Sequence, residues 1–266
     1  MIKFTLNGKE AEYKGDPELS LLRYLRDIEG IISPKDGCAP QAACGACTVQ
    51  LNDKAVLSCI IPMKKVENGT VTTIEGIESN IQEVFINSFV SNGGTQCGFC
   101  TPGIVMQSKV LLENNPEPTV EDIKKALHPN LCRCTGYTKI IDSVVNAGEL
   151  IRSGEKVTYV KPSAKVGKSY PKYDADKLVL GKAHYVDDMK FDNMLYASLK
   201  FSDHPRALIK SINIKDAENS SGVIKILTDK DVPGNKRTGL IVDDWPMFRV
   251  AGEETRYIGD VLALVI

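Results

Sequence analysis

The stretch GCAPQAACGACTVQLNDKAVLSC, residues 37–59, carries Cys38, Cys44, Cys47 and Cys59, and its spacing decides how the N-terminal part of the chain is read. Three of these thiols share one loop of small residues, and the fourth follows two short strand-like runs. Downstream, QCGFCTPG (96–103) and NLCRCTGY (130–137) place Cys97 and Cys100 about thirty residues before Cys132 and Cys134. All 8 cysteines of the chain fall in these two groups of four, and residues 135–266 have none. That asymmetry points to metal centres rather than to thiols scattered through a core.

The first spacing is that of a plant-ferredoxin-like 2Fe-2S pattern with one extra residue in its first gap. Small residues at Ala42, Ala43, Gly45 and Ala46 let backbone N–H groups approach the sulfurs of a cluster, which need many donors. Two other readings compete. A disulfide framework belongs to short secreted chains, and Met1-Ile2-Lys3-Phe4 begins a strand directly, with no secretory signal. Zinc would suit Cys97-x-x-Cys100 alone, but it does not account for the Cys132-Arg133-Cys134 pair or for the Gly- and Ala-rich first loop.

At 266 residues, 42% hydrophobic and net charge −1, the composition is that of a soluble protein of two or three small domains. The charge balance argues against nucleic acid as a partner. No apolar run approaches the roughly 18 residues of a membrane span, and a reducing cytoplasm is the expected compartment. His128, His184 and His204 lie far apart without a nucleophile or carboxylate motif, so no catalytic residue is assigned.

Periodicity divides the chain. Residues 1–78 read as a β-rich domain. Ile2, Phe4 and Leu6 alternate, Asn7-Gly8 makes a hairpin turn, and a helix started by Asp16-Pro17 carries Leu21, Leu22, Leu25 and Ile28 up to Gly30. Strands follow near Thr48 to Leu51, Ala55 to Leu57 and Thr70 to Ile74, which makes a β-grasp arrangement. Residues 79–154 switch to helical spacing, with four helices forming a bundle. Thr101-Pro102 opens the second helix and Thr135 is expected to cap the fourth, so that Cys100 and Cys134 stand beside helix N-termini that favour an anionic cluster.

Residues 155–175, with Lys156, Lys161, Lys165, Lys168, Lys172, Pro162 and Pro171, read as an extended basic linker. Residues 176–266 read as an α+β segment with strands at Leu195 to Leu199, Ile209 to Ile214, Val223 to Thr228 and Val261 to Ile266. Ending on an apolar strand suggests that the native sequence continues past Ile266. The expected fold class is α+β throughout: ferredoxin-like β-grasp domain, four-helix bundle, then a mixed C-terminal domain.

QCGFCTPG and NLCRCTGY resemble the second-cluster motifs of the molybdenum hydroxylases, the xanthine dehydrogenase and aldehyde oxidoreductase family, and CGACTV (44–49) resembles the first-cluster loop of the same family. Past the linker, GKAHYVDDM from Gly181, GVIKILTDKDVPG from Gly222 and RYIGDVLALVI from Arg256 resemble the start of its molybdopterin-binding portion, a hammerhead-like domain. The resemblance covers nearly the whole chain. It implies two 2Fe-2S clusters, an inner one on Cys97, Cys100, Cys132 and Cys134 and an outer one on Cys38, Cys44, Cys47 and Cys59. It further implies that Gln96 hydrogen-bonds the pterin and that Cys134 faces it.

In that family a molybdenum centre hydroxylates purines, N-heterocycles or aldehydes, and electrons leave one at a time through the clusters. The molybdopterin would be bound mostly by residues outside this chain, as would the catalytic glutamate, so the remainder of the molybdopterin-binding portion is the expected partner. With only about twenty residues between bundle and hammerhead, FAD would belong to another subunit, and a ferredoxin-type acceptor is the other terminal partner considered. The extra residue between Cys38 and Cys44 is similar to fused bacterial xanthine dehydrogenase-like enzymes. The alternatives are a stand-alone two-cluster electron carrier and a zinc-stabilised interaction module.

Overall fold

The alternation of Ile2, Phe4 and Leu6 buries one face of strand β1 (Ile2–Leu6), and Asn7 and Gly8, with φ of 50° and 79°, turn the chain back as β2 (Lys9–Tyr13). This is the left-handed pair that a two-residue hairpin requires, and it fixes the register from Ile2 opposite Tyr13 to Leu6 opposite Lys9. In the computed structural model, which describes residues 1–155, 157, 166–167 and 170–266, the first sheet continues with β3 (Thr48–Leu51), β4 (Lys54–Leu57) and β5 (Thr70–Thr72). Its order is β2-β1-β5-β3-β4, with β1 and β5 parallel and every other pair antiparallel. A single parallel pair at the centre of an otherwise antiparallel sheet is the β-grasp topology expected from the sequence.

The helix on this sheet starts later than Asp16-Pro17 suggests. Helix α1 (Leu21–Arg23) is capped by Ser20, whose hydroxyl accepts the Arg23 N–H at 3.3 Å, and it passes into a π-helical turn over Tyr24–Ile28. The preceding residues are used otherwise: the carbonyls of Pro17 and Leu19 accept the N–H groups of Lys64 and Met63 at 3.0 and 2.9 Å. A tertiary contact thus takes the acceptors that a longer helix would have used. Leu21, Leu22 and Leu25 are almost fully buried beneath the helix, each contributing about 1.5–3 kcal/mol of transfer free energy.

The bundle has the four expected helices, α2 (Ser79–Ser91), α3 (Thr101–Asn114), α4 (Val120–Leu127) and α5 (Thr138–Ser153). Helix α4 opens with a capping box between Thr119 and Asp122. Helix α5 begins three residues past Thr135, with Tyr137 as its N-cap at φ 72°, so Thr135 does not cap it. Phe85, Phe89, Ile104, Ile123, Ile140 and Val144 fill the core between the helices.

Of the basic linker, Lys156, Lys161, Lys165, Lys168 and Pro162 lie outside the described residues. The chain is next followed into α6 (Ala175–Val179), where Ala175, Val179 and Leu180 join the bundle core. The first compact unit therefore runs from Met1 to Met189 and takes in residues 176–189, which periodicity alone groups with the C-terminal segment.

The second unit, Lys190–Ile266, holds a three-stranded antiparallel sheet of order β6 (Ser198–Phe201), β10 (Val261–Val265) and β7 (Ile226–Leu227), a short helix α7 (Lys215–Glu218) and a ribbon of β8 (Arg237–Thr238) and β9 (Trp245–Pro246). The run Ile209 to Ile214 is not a strand. Ile209 exchanges backbone hydrogen bonds with Glu253 and Gly252 beside a single bridge from Leu208 to Glu254, and the chain then turns into α7 at Ile214. The expected strand at Leu195 to Leu199 begins only at Ser198. No helix among the described residues is long and apolar enough to cross a membrane.

Candidate metal centres

The loop from Cys38 to Cys47 is wound by three left-handed residues, Ala39 (φ 56°), Ala42 (55°) and Gly45 (67°), and held at its base by the Lys35 N–H on the Ala46 carbonyl at 3.0 Å. Such winding turns successive N–H groups inward, making a nest for anionic sulfur. The Gln41 N–H donates to Cys38 Sγ at 3.3 Å. Burial pushes the Cys38 thiol up, but N–H groups of Ala43, Gln41 and Cys44 outweigh it, and the net effect favours thiolate.

Cys59 comes from the 3-10 turn that ends β4, where Ser58 donates its N–H and hydroxyl to the Cys47 carbonyl at 3.3 and 2.7 Å. Cys47 is pushed up to about 12, first by burial and then by the neighbouring Cys59. Cys38 and Cys44 interact with each other in the same way, and Cys59 also feels both.

The second set is built by the loop before α3 and the loop before α5. Cys100 is the N-cap of α3, a fourteen-residue helix whose positive end favours anionic ligands. Cys132 is fixed by its neighbours: the Tyr137 hydroxyl accepts the Cys132 N–H at 2.8 Å and donates to the Asn130 carbonyl at 3.0 Å, and Thr135 Oγ1 lies 3.2 Å from Cys132 Sγ. Burial acts to raise the Cys132 pKa, but Thr135 and nearby N–H groups bring it below the ordinary value. Cys100 is pushed up by burial and then by Cys132, while Cys97 is pushed up by burial and then by Cys134. Gln96, Cys97 and Cys134 are exposed and form an open edge, whereas Cys132 is buried.

The thiols thus meet in twos: Cys38 with Cys44, Cys47 with Cys59, Cys97 with Cys134, and Cys100 with Cys132. Two thiols for each of two irons is what a binuclear cluster requires. Among the described residues no three His, Cys, Asp or Glu side chains converge closely enough to hold a single ion. Together with the inward N–H groups, the pairing fits a 2Fe-2S group in each set.

The two sets are also joined to each other. The Leu131 N–H, next to Cys132, donates to the Cys44 carbonyl at 2.8 Å, and Asn130 Nδ2 donates to the Gly45 carbonyl at 3.0 Å. A Cβ on Gly103 would lie 2.4 Å from the Gly45 carbonyl oxygen, so α3 packs directly on the first loop. Asn130, Thr135 and Tyr137 carry this joint. Spacing does not reveal them, although all three lie within or beside the second cysteine motif.

Three domain families match in succession: the 2Fe-2S iron-sulfur cluster binding domain over residues 4–71, the [2Fe-2S] binding domain over 73–145, and the aldehyde oxidase and xanthine dehydrogenase a/b hammerhead domain over 180–266. Aldehyde oxidoreductase of Megalodesulfovibrio gigas is 34% identical across 98% of the chain, and the nicotinate dehydrogenase small FeS subunit of Eubacterium barkeri is 40% identical over 149 residues, which are 56% of the chain and 94% of the relative. The crystal structure of the aldehyde oxidoreductase from Desulfovibrio desulfuricans superposes on 99% of the chain with a TM-score of 0.88 at 35% identity. The chain spans about a third (31%) of these aldehyde oxidoreductases. It belongs to the xanthine dehydrogenase and aldehyde oxidoreductase family of molybdenum hydroxylases, as their two-domain 2Fe-2S electron-transfer portion followed by the hammerhead domain.

Proposed function

We propose that Cys38, Cys44, Cys47 and Cys59 ligate an outer 2Fe-2S cluster, that Cys97, Cys100, Cys132 and Cys134 ligate an inner one, and that electrons cross the chain from the inner set to the outer. The observation that carries this is the pairing of thiols within each set of four. When bound, each cluster supplies a carrier of one electron at a time.

The chain's own residues set the route. Cys134 and Gln96 lie on the open edge of the inner set, where a molybdopterin held mostly by residues outside this chain would approach. Cys132 stands one residue from Leu131, whose N–H reaches the Cys44 carbonyl in the outer set at 2.8 Å. This is a covalent and hydrogen-bonded path. The Cys38 side, partly exposed, faces outward towards an acceptor, either a flavin subunit or a ferredoxin-type protein. The remainder of the molybdopterin-binding portion is the partner on the opposite side, and hydroxylation of a purine, N-heterocycle or aldehyde is the activity proposed for the whole assembly. Thiolate ligands suit a reducing cytoplasm.

The test is Cys59→Ser. Its sulfur belongs to the outer set alone, so the variant is expected to keep the inner cluster, half the iron and one of two EPR signals. Full iron with both signals unchanged, or loss of both signals from a folded protein, would contradict the ligand assignment.

A further inference from the structure

Three charged side chains form a buried cluster that neither cysteine set uses. Lys35 and Asp188 are each only 1% exposed at their side chains, and Lys35 Nζ lies 2.5 Å from Asp188 Oδ2. Arg26, 7% exposed, donates to Asp188 Oδ1 at 2.9 Å and to the carbonyls of Pro34 and Ile32 at 3.0 and 3.3 Å. Its contact with Asp187 at 3.3 Å is with a carboxylate exposed to water and correspondingly screened. Glu75, which acts on Lys35 from the end of the β-grasp domain, is also exposed. Two buried cations therefore share one buried anion, leaving one net positive charge inside the protein.

The position of this charge is specific. The backbone N–H of Lys35 holds the Ala46 carbonyl between Cys44 and Cys47, while its ammonium sits 5.0 Å over the ring of Tyr185. Tyr185 donates its hydroxyl to the Cys97 carbonyl at 2.7 Å and meets Phe99 edge to face. Gly37, two residues from Lys35, is packed so that a Cβ there would touch Cys44 Sγ and Phe99 at 3.1 Å each. The triad accordingly has contacts leading to both cysteine sets. Asp188 reaches it only because α6 and the turn after it are strapped down: Leu178 covers Gly98, and Gly181 lies against Ser33 and Pro102.

We infer that Asp188, Lys35 and Arg26 are positioning residues that hold a net positive charge between the two metal centres, making both easier to reduce than they would be without it. The inference rests on the reading that the eight cysteines hold clusters. A buried charge interacts strongly with its neighbours because the interior screens it less than water does. Burial pushes the Lys35 pKa down and the Asp188 pKa up, yet for Asp188 the hydrogen bonds from Lys35, the Tyr185 N–H and Arg26 prevail, and its carboxyl stays below the usual value. The ionised Asp188 carboxylate at 2.5 Å opposes the lowering of the Lys35 pKa by burial without cancelling it.

The experiment is a charge cycle on the iron-loaded full chain, read as the midpoint potentials of both clusters by optical and EPR redox titration. Lys35→Met removes the excess charge and is expected to lower both potentials. Asp188→Asn adds a second uncompensated charge and is expected to raise both. The double variant restores one net charge through Arg26 and is expected to return both to near the wild-type values. A purely structural tie would not give opposite signs or this restoration.

Shifts of the same sign in both single variants, unmoved potentials, or loss of clusters from all the variants would overturn the inference. If Asp188→Asn alone fails to fold, Lys35→Met and the double variant still decide it, by a lowered and a restored potential respectively. Iron and labile sulfide in the wild-type protein report separately on the cluster reading. Their absence would sink that reading, whereas full content with unmoved potentials would sink only the charge assignment.

Discussion

At the scale of single residues, the acid-base behaviour of Asp188 can be stated with its sign. Its carboxyl is held below the ordinary 3.8 despite burial, so the folded state binds a proton less readily than the unfolded chain. Its contribution is thus fully present above about pH 4 and is lost as the pH falls through the lower folded value. Asp188→Ala would remove the one buried anion that Lys35 and Arg26 share, at a cost of about 3–5 kcal/mol. Urea unfolding at pH 7 is expected to show that loss, and the difference from wild type is expected to shrink as the pH drops below about 4. An undiminished difference at low pH would contradict the role given to its charge. None of this was legible in the sequence, because Asp188 meets Lys35 and Arg26 across more than 150 residues. The thiols were legible, since chemistry ties them to fixed short spacings.

At the scale of elements, α3 and the first cysteine loop meet through two glycines. A methyl on Gly103 would press on the Gly45 carbonyl at 2.4 Å, a backbone atom that cannot swing aside. Gly103→Ala is expected to cost about 1–3 kcal/mol through overpacking and to slow electron passage between the clusters. Gly136 is a useful contrast. It has φ 68° and open space where a methyl would point, with nothing within 4 Å, so Gly136→Ala is expected to cost only the left-handed penalty of about 1–2 kcal/mol and to leave that rate alone. Thermal melting and stopped-flow reduction of the two variants separate the effects; equal slowing in both would contradict the packing argument.

The hairpin at Asn7-Gly8 could be read from sequence because its signal is local. The start of α1, the start of α5 and the missing strand at Ile209 to Ile214 could not. In α1, backbone groups are committed to distant partners. Before α5, Thr135 is used by Tyr137 and Cys132 rather than by the helix end.

At the scale of the molecule, the order β-grasp, bundle and hammerhead followed from periodicity together with motif resemblance. The first compact unit extends to Met189. Residues 176–189 carry their own apolar pattern, but the core they complete belongs to the bundle, and only the fold reveals that. The central claim is that this first unit is a two-cluster electron conduit. Chemical analysis with EPR on anaerobically purified protein tests it most directly. Two 2Fe-2S centres require four irons and four acid-labile sulfides per chain, with two distinct signals after dithionite reduction. Stoichiometric zinc with no labile sulfide, and a colourless protein with no signal on reduction, would contradict the account.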